Sequence, residues 1–167
     1  MKPIFVCVAL ALPCAVSAAD STPDSSFYKK AAEGGIAEVE LGKLAREKSS
    51  NPSVKEFGRM MVSDHTAANE KLKTIAASKD VKLPASPSMG QMAAKMKLQA
   101  LTGDAFDKSY IKGMIKDHEE DIKEFQNEAT SGQDPDAKAY AKATLPTLQA
   151  HLEKIRQIAA NENVKAD

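Results

Sequence analysis

Four long stretches of the chain repeat apolar or small residues every three or four positions, which is the spacing of amphipathic helices. Such helices are predicted over 26–48, over 52–79, from 104 to the break after Ser131, and from 135 onwards. "SSNP" and "SGQDP" precede the second and fourth helices, with Asn51 and Asp134 as N-caps and a proline at the first helical position. The pattern predicts an all-α fold, an antiparallel up-down four-helix bundle.

The connection between the second and third long helices is longer than the other two. It begins with "DVKLPASPSMG", whose two prolines mark a linker, and continues with "MGQMAAKMKLQAL". The second segment has the apolar spacing of a short amphipathic helix. We therefore expect a short extra helix in this crossover, lying across one end of the bundle.

The first twenty residues, "MKPIFVCVALALPCAVSAAD", have the pattern of a secretory signal peptide. A lysine precedes an apolar run that is too short for a permanent membrane span, and small residues follow at a cleavage motif. We predict a signal peptide over 1–19, cleaved after Ala18 or Ala19, a flexible N-terminus over 20–25 and a bundle domain over 26–163. Cys7 and Cys14 lie inside the signal, so the exported chain would contain no thiol.

Charge and motifs exclude several classes of function. Lys and Arg together number 23, as do Asp and Glu, and both signs are interspersed, so there is no nucleic-acid footprint. No later stretch is apolar enough for a transmembrane helix. The positions three before the histidines are Val62, Ile115 and Leu148, so the Glu-x-x-His motif of di-iron bundles is absent. We predict no catalytic residue, and a monomer or homodimer whose protein partner is open.

The sequence "MVSDH" recurs as "MIKDH" 53 residues later, so Asp64-His65 matches Asp117-His118. With His151, these are the only histidines of the chain. Each lies on the apolar stripe of its helix, and counting 1.5 Å per residue from the helix ends puts all three within about one turn in height. The pattern predicts three imidazoles that meet in one layer of the core.

A layer of three histidines predicts a transition-metal site for zinc, copper, iron or manganese. Glu38 of the first helix lies at the same level and is the leading fourth ligand, with Glu33 and Glu40 as alternatives until the rotation of that helix is known. The alternative is a structural or stress-response bundle in which buried histidines form a polar network with acids and no metal. Such a network would respond to acid as the imidazoles become charged.

Several other polar and sulfur-containing residues allow two interpretations. Asp64, Asp117 and Glu40 are predicted to support the ligands by hydrogen bonds, because each aspartate points about 100° away from the adjacent histidine; the alternative is a solvated helix edge. The acidic residues Glu119, Glu120, Asp121 and Glu124 are assigned to the solvated face. Met89, Met92 and Met96 could bind Cu(I), but their spacing favours a short helix that packs onto the bundle through them.

Four segments together resemble an exported bacterial family catalogued as domain-of-unknown-function family 4142: "AAEGGIAEVELGKLA", "NPSVKEFGRMMVSDHTAANEKL", "GDAFDKSYIKGMIKDH" and "LPTLQAHL". The resemblance covers about Phe27 to Ala160 and implies a ferritin-like bundle without an established activity. It also implies that Glu38, Asp64, His65, His118 and His151 are the characteristic polar positions. Members are often labelled outer-membrane proteins, but this sequence predicts a periplasmic protein with at most peripheral association with the envelope.

Overall fold

Caps and prolines set the bounds of the helices. In the computed structural model, which describes residues 22–165, there are five helices in that range: α1 (Ser25–Lys48), α2 (Pro52–Ala77), α3 (Met89–Gln99), α4 (Gly103–Ser131) and α5 (Pro135–Asn161). The Asn51 side chain accepts hydrogen bonds from the backbone N–H groups of Ser53 and Val54, and Pro52 opens α2. The Asp134 side chain accepts a hydrogen bond from the backbone N–H of Asp136, and Pro135 opens α5. These starts are as predicted.

The short helix α3 lies in the crossover between α2 and α4, as predicted. It runs beside α1 and α4, with Lys95 paired to Glu40, and not across one end of the bundle, so that part of the prediction is wrong. Ser88 caps it through a capping box, in which the Ser88 side chain and backbone exchange hydrogen bonds with Gln91. Two connected pairs, α1 with α2 and α4 with α5, form the main helix contacts, and α2 also contacts α5 while α1 contacts α4. The described residues therefore form an all-α helical bundle.

Two apolar clusters fill the bundle, one on each side of the histidine level. One cluster contains Met61 and Met114, and the other contains Leu72, Phe125 and Leu148. The histidines come between these residues along their helices, so the polar layer divides the core. Its position in the middle of the bundle places the imidazoles away from water.

The predicted signal peptide and its cleavage site lie outside the described residues, so the predicted division of the chain into segments stays a prediction. Within residues 22–165, every helix falls short of the apolar length that a membrane span requires.

Candidate metal centre

The structure brings the three histidines together. His65 lies on α2, His118 on α4 and His151 on α5, and all three are buried. Their ring centroids are 5.4 to 5.9 Å apart. One ring nitrogen from each lies within 4.8 Å of the others. The layer inferred from helix spacing is therefore real in this fold.

The hydrogen bonds on the outer side of two rings determine where their protons lie. His118 Nδ1 is 2.9 Å from the backbone oxygen of Met114. Because a carbonyl oxygen only accepts, Nδ1 carries the hydrogen and Nε2 keeps a lone pair in the neutral ring. His151 Nε2 is 2.9 Å from Asp64 Oδ2, so it donates to this carboxylate and leaves the lone pair on Nδ1.

These two lone pairs face each other. His118 Nε2 and His151 Nδ1 are 3.4 Å apart, and in these tautomers neither has a hydrogen to donate. His65 adds a buried Nε2 with no hydrogen-bond partner. Two nitrogens that bind the same metal at about 2.0–2.1 Å are roughly 3.4 Å apart at a tetrahedral angle and roughly 3.5 Å apart at a trigonal angle. The separation of this pair fits a metal ion, and His65 would join it by a small movement of its ring, because the three nitrogens spread over as much as 4.8 Å.

The surroundings keep these imidazoles neutral. Burial, reinforced by the two other histidines, lowers the pKa of His65 to about 3. Burial and His151 lower the pKa of His118 to about 4. Burial also lowers the pKa of His151, although its bond to Asp64 opposes the shift. Neutral imidazole is the form that binds metals, so the cluster needs to release no proton to do so at neutral pH.

Apolar side chains enclose the cluster. The Phe57 ring centroid lies 6.3 Å from that of His118 and 6.4 Å from that of His151. Met61 and Met114, each one helical turn before a histidine, are also buried. An ion bound among the rings would therefore be shielded from water on this side.

Glu38 lies beside the cluster rather than among the facing nitrogens. Its Oε1 is 3.8 Å from His118 Nδ1, the nitrogen that already donates to Met114. Its Oε2 is buried without a hydrogen-bond partner. Burial, with Asp121 and Asp117 nearby, raises the pKa of Glu38 well above its usual range, which favours the neutral carboxyl. In this rotamer Glu38 adjoins the outer side of His118.

Glu38 also belongs to a carboxylate-lined cavity of about 370 Å³ between α1, α3 and α4, with Asp117 and Asp121 in its wall. Burial and acidic neighbours raise the pKa of Asp117 to about 6 and that of Asp121 to about 7. Asp121 also lines a small cavity of about 20 Å³ together with His65. Asp121 therefore lies between the acidic cavity and the histidine layer.

The position of Asp121 corrects its assignment to the solvated face, because Asp121 is half-buried and lines these cavities. The sequence spacing could have indicated this, because Asp121 lies three residues after His118 and four after Asp117 and so shares their helix face. Helix α4 turns this face towards α1, where a Cβ added to Gly34 would lie 3.8 Å from Asp121 Oδ1. This is an ordinary van der Waals distance, so Asp121 lies within contact range of α1.

Other predicted residues lie elsewhere. Glu40 forms an ion pair with Lys95 of α3 at 2.8 Å, whereas Glu33 is half-buried on α1. The favoured interpretation of Met89, Met92 and Met96 as packing residues is wrong, because all three side chains are exposed. Helix α3 contacts the bundle through its opposite side.

The chain forms a helical bundle with a buried histidine cluster, and comparison with known proteins agrees with the helical fold. The sequence matches the family described as Domain of unknown function (DUF4142) over residues 10–158, and the chain belongs to that family. Comparison with curated proteins gave no match.

Solved structures with a similar fold include metal-bound proteins. A DUF305 protein from Streptomyces coelicolor, described as secreted, is 14% identical with a TM-score of 0.75, over 89% of this chain and 99% of that one. CopM in its Cu(I)-bound form is 18% identical with a TM-score of 0.70, over 84% and 98%. CopM in a co-crystallised silver-bound form is 19% identical with a TM-score of 0.68, over 83% and 96%. At these identities the likeness concerns the fold alone.

Proposed function

We propose that the protein is an exported, non-catalytic metal-binding bundle that holds one monovalent copper ion through His65, His118 and His151. The observation that carries the proposal is the pair of lone pairs that face each other at 3.4 Å between His118 Nε2 and His151 Nδ1. Without an ion this contact brings two acceptors together, which is unfavourable in a buried site. A metal ion accepts both lone pairs and the unpartnered nitrogen of His65.

The donor set favours a monovalent soft ion over a divalent one. Three neutral imidazoles supply no negative charge of their own. Two carboxyl groups adjoin the rings from outside: Asp64 accepts a hydrogen bond from His151, and Glu38, whose pKa is raised, lies on the outer side of His118. Burying two uncompensated charges is far more costly than burying one. Imidazole suits copper as well as zinc, and zinc with three histidines uses a water or substrate in its fourth position. The buried, Phe57-covered rings fit three-coordinate Cu(I) better.

Supporting residues hold the rings in the binding tautomers. The Met114 carbonyl holds the His118 ring, and Asp64 holds the His151 ring. When bound, the ion would add a fixed positive charge to the layer; the residues of this chain supply its neutral, oriented ligands. CopM, a protein of similar fold, is known in Cu(I)-, Cu(II)- and silver-bound forms, which supports copper as the first ion to test.

The remaining parts of the proposal concern location and architecture. The signal-like N-terminus and the secreted protein of similar fold support export to the periplasm. We also propose an up-down, ferritin-like arrangement for the four long helices α1, α2, α4 and α5, supported by the short connections within the two helix pairs.

The test is a thermal melt of the exported chain without a histidine tag, with Cu(I) supplied from a buffered chelator. At a thousandfold excess over the dissociation constant, binding adds about 4 kcal/mol, or roughly 10 °C in Tm. The shift should be much smaller in His118→Gln and in His151→Gln than in the wild type, and should stay at the wild-type size in Glu40→Gln, whose carboxylate pairs with Lys95 away from the rings. X-ray absorption should show nitrogen ligands.

Circular dichroism of each variant before copper addition separates loss of binding from loss of folding. An unchanged wild-type Tm with Cu(I), Ag(I) and Zn(II) would overturn the proposal and support the metal-free polar network instead. An equal shift in the wild type and both histidine variants would place the copper elsewhere.

A further inference from the structure

The exposed face of α3 carries a row of methionines. The large hydrophobic side chains that are exposed in residues 22–165 are Met89, Met92 and Met96, at 82%, 38% and 69% exposure. Their spacing of three and then four residues puts them on one side of the helix. We call these three residues the methionine stripe.

The stripe lies opposite the side of α3 that contacts the bundle. Leu98 is buried, and Gln91 and Ala94 line the carboxylate cavity. At 100° per residue, the stripe is centred about half a turn around the helix from these positions. Its methionines therefore contribute little to the core, and packing does not explain them.

The chemistry of the stripe points to sulfur rather than to apolar area. Protein interfaces draw on aromatic residues as well as methionine, yet no leucine, isoleucine or phenylalanine joins the stripe among the described exposed side chains. Ala93 and Ala100 beside it are small and exposed, so the thioethers are accessible. Thioether sulfur is a soft ligand that selects Cu(I), and Ag(I) has the same preference.

The helix geometry allows the three sulfurs to meet. Met92 is one turn from each of the others, and Met89 and Met96 are about 10 Å apart along the axis. Methionine has an unbranched side chain with three rotatable bonds, so the outer two can lean towards Met92. A three-coordinate site would then form above Met92.

We propose that the methionine stripe of α3 binds one monovalent soft ion, Cu(I) or Ag(I), at the protein surface. This site is separate from the histidine cluster and does not depend on it. It uses exposed, flexible ligands, so ion exchange with the solvent is fast. The protein would hold two soft ions, one accessible and one buried.

Isothermal titration with silver nitrate in chloride-free buffer tests the proposal. The background is His118→Gln, which disables the buried cluster. In that background we expect one Ag(I) equivalent. Adding Met89→Leu, Met92→Leu and Met96→Leu should abolish it, because leucine keeps the size and helix preference of methionine but has no sulfur. Met60→Leu, which changes a half-buried methionine of the core edge, is the matched control and should leave the equivalent in place.

A second readout locates the ion. The methyl NMR signals of Met89, Met92 and Met96 should shift on adding Ag(I) while those of Met60 and Met61 stay unchanged in the His118→Gln protein. Met92→Leu alone should weaken binding at least tenfold, because Met92 is the shared neighbour. Circular dichroism of each variant checks that the helix content is unchanged.

The outcomes separate this proposal from that of the buried site. If the triple leucine variant keeps the silver equivalent, or the stripe methyl signals do not move, the stripe is not a metal site. If His118→Gln binds as many Ag(I) ions as the wild type while the leucine variant binds one fewer, the stripe proposal holds and the buried site fails.

Discussion

His118 Nε2 and His151 Nδ1 face each other at 3.4 Å, while the other nitrogen of each ring already donates a hydrogen bond outwards. The outward hydrogen bonds of the two rings thus determine which nitrogens face each other inside the cluster. Met114 and Asp64 select the tautomers, and the tautomers turn both lone pairs to one point. This relationship distinguishes the cluster from buried histidines that satisfy one another.

Asp64 provides the first prediction. Replacing it by asparagine keeps the shape of the side chain but removes the charge that favours the Nε2–H tautomer of His151. Changes to a residue that hydrogen-bonds a metal ligand typically lower metal affinity by about 10- to 100-fold. We expect a loss of that size for Cu(I) in a chelator-competition assay. Glu40→Gln makes the same chemical change on α1 and should leave the affinity unaltered. Equal affinities for Asp64→Asn and the wild type would argue against Asp64 as an orienting residue.

The low pKa of His65 provides a second prediction, for protein freed of metal by chelation. The unfolded chain takes up a proton on this residue near pH 6.5, but the native state does so only near pH 3, so the native state binds fewer protons in between. The stability linked to neutral His65 is present above about pH 6.5 and is lost as the pH falls towards 3. His65→Gln lacks this titration.

The free energy of unfolding, measured with urea at pH 7.5 and 4.5, checks this. Over that interval the wild type should lose about 3 kcal/mol more than His65→Gln. The difference between the two pH values cancels any constant cost of the substitution. Parallel losses in both proteins would mean that His65 is not held neutral.

Sequence reasoning reached the helix starts and the histidine layer because both depend on local signals. Asn51 and Asp134 cap the helices that begin beside them, and the height of a residue follows from counting along a helix. Those quantities need no knowledge of neighbouring helices. They therefore led directly to the three rings.

The rotation of each helix was harder to predict. Asp121 carries a carboxyl group like its exposed neighbour Glu120, yet the contact between α1 and α4 half-buries it. For α3, either the methionines or Leu98 and Ala94 could have faced the bundle, since both sets have helical spacing. Glu38 had the right height, but only the packed structure placed it at the outer nitrogen of His118. Tertiary packing decides such rotations.

Asp121 should show the opposite pH dependence to His65. Burial and acidic neighbours raise its pKa to about 7, whereas in an unfolded chain it ionises near 3.9. The native state therefore holds a proton that the unfolded state has lost, and stability falls as the pH rises from about 4 to 7. Asp121→Asn avoids the cost of ionisation.

We expect Asp121→Asn to gain roughly 3 kcal/mol in unfolding free energy, relative to the wild type, between pH 4.5 and 7.5 in metal-free protein. Asp104→Asn is the control, because this side chain is 94% exposed and should show little change with pH. If Asp121→Asn gained no unfolding free energy over the wild type at high pH, the Asp121 carboxyl of the wild type would ionise at no cost. The acidic cavity would then be well solvated.

The crossing of α1 and α2 provides the last prediction. A Cβ at Gly42 would lie 2.7 Å from the Gly58 carbonyl oxygen and 3.0 Å from the Met61 Cβ, closer than real contacts allow. Gly42→Ala should therefore push the two helices apart and cost about 1–3 kcal/mol of unfolding free energy. Because Met61 is one turn before His65, the displacement should also weaken copper binding.

Gly113→Ala is the matched control for this crossing. It lies inside α4, and a Cβ there would meet no atom within 4 Å. Alanine should stabilise this position by about 0.5–1 kcal/mol, because glycine loses more backbone freedom when it enters a helix. Urea unfolding measures the change in stability of both variants. A copper-competition assay shows whether Gly42→Ala also weakens binding at the histidine cluster. If Gly42→Ala were as stable as Gly113→Ala, the close approach of α1 to α2 would not determine where His65 lies.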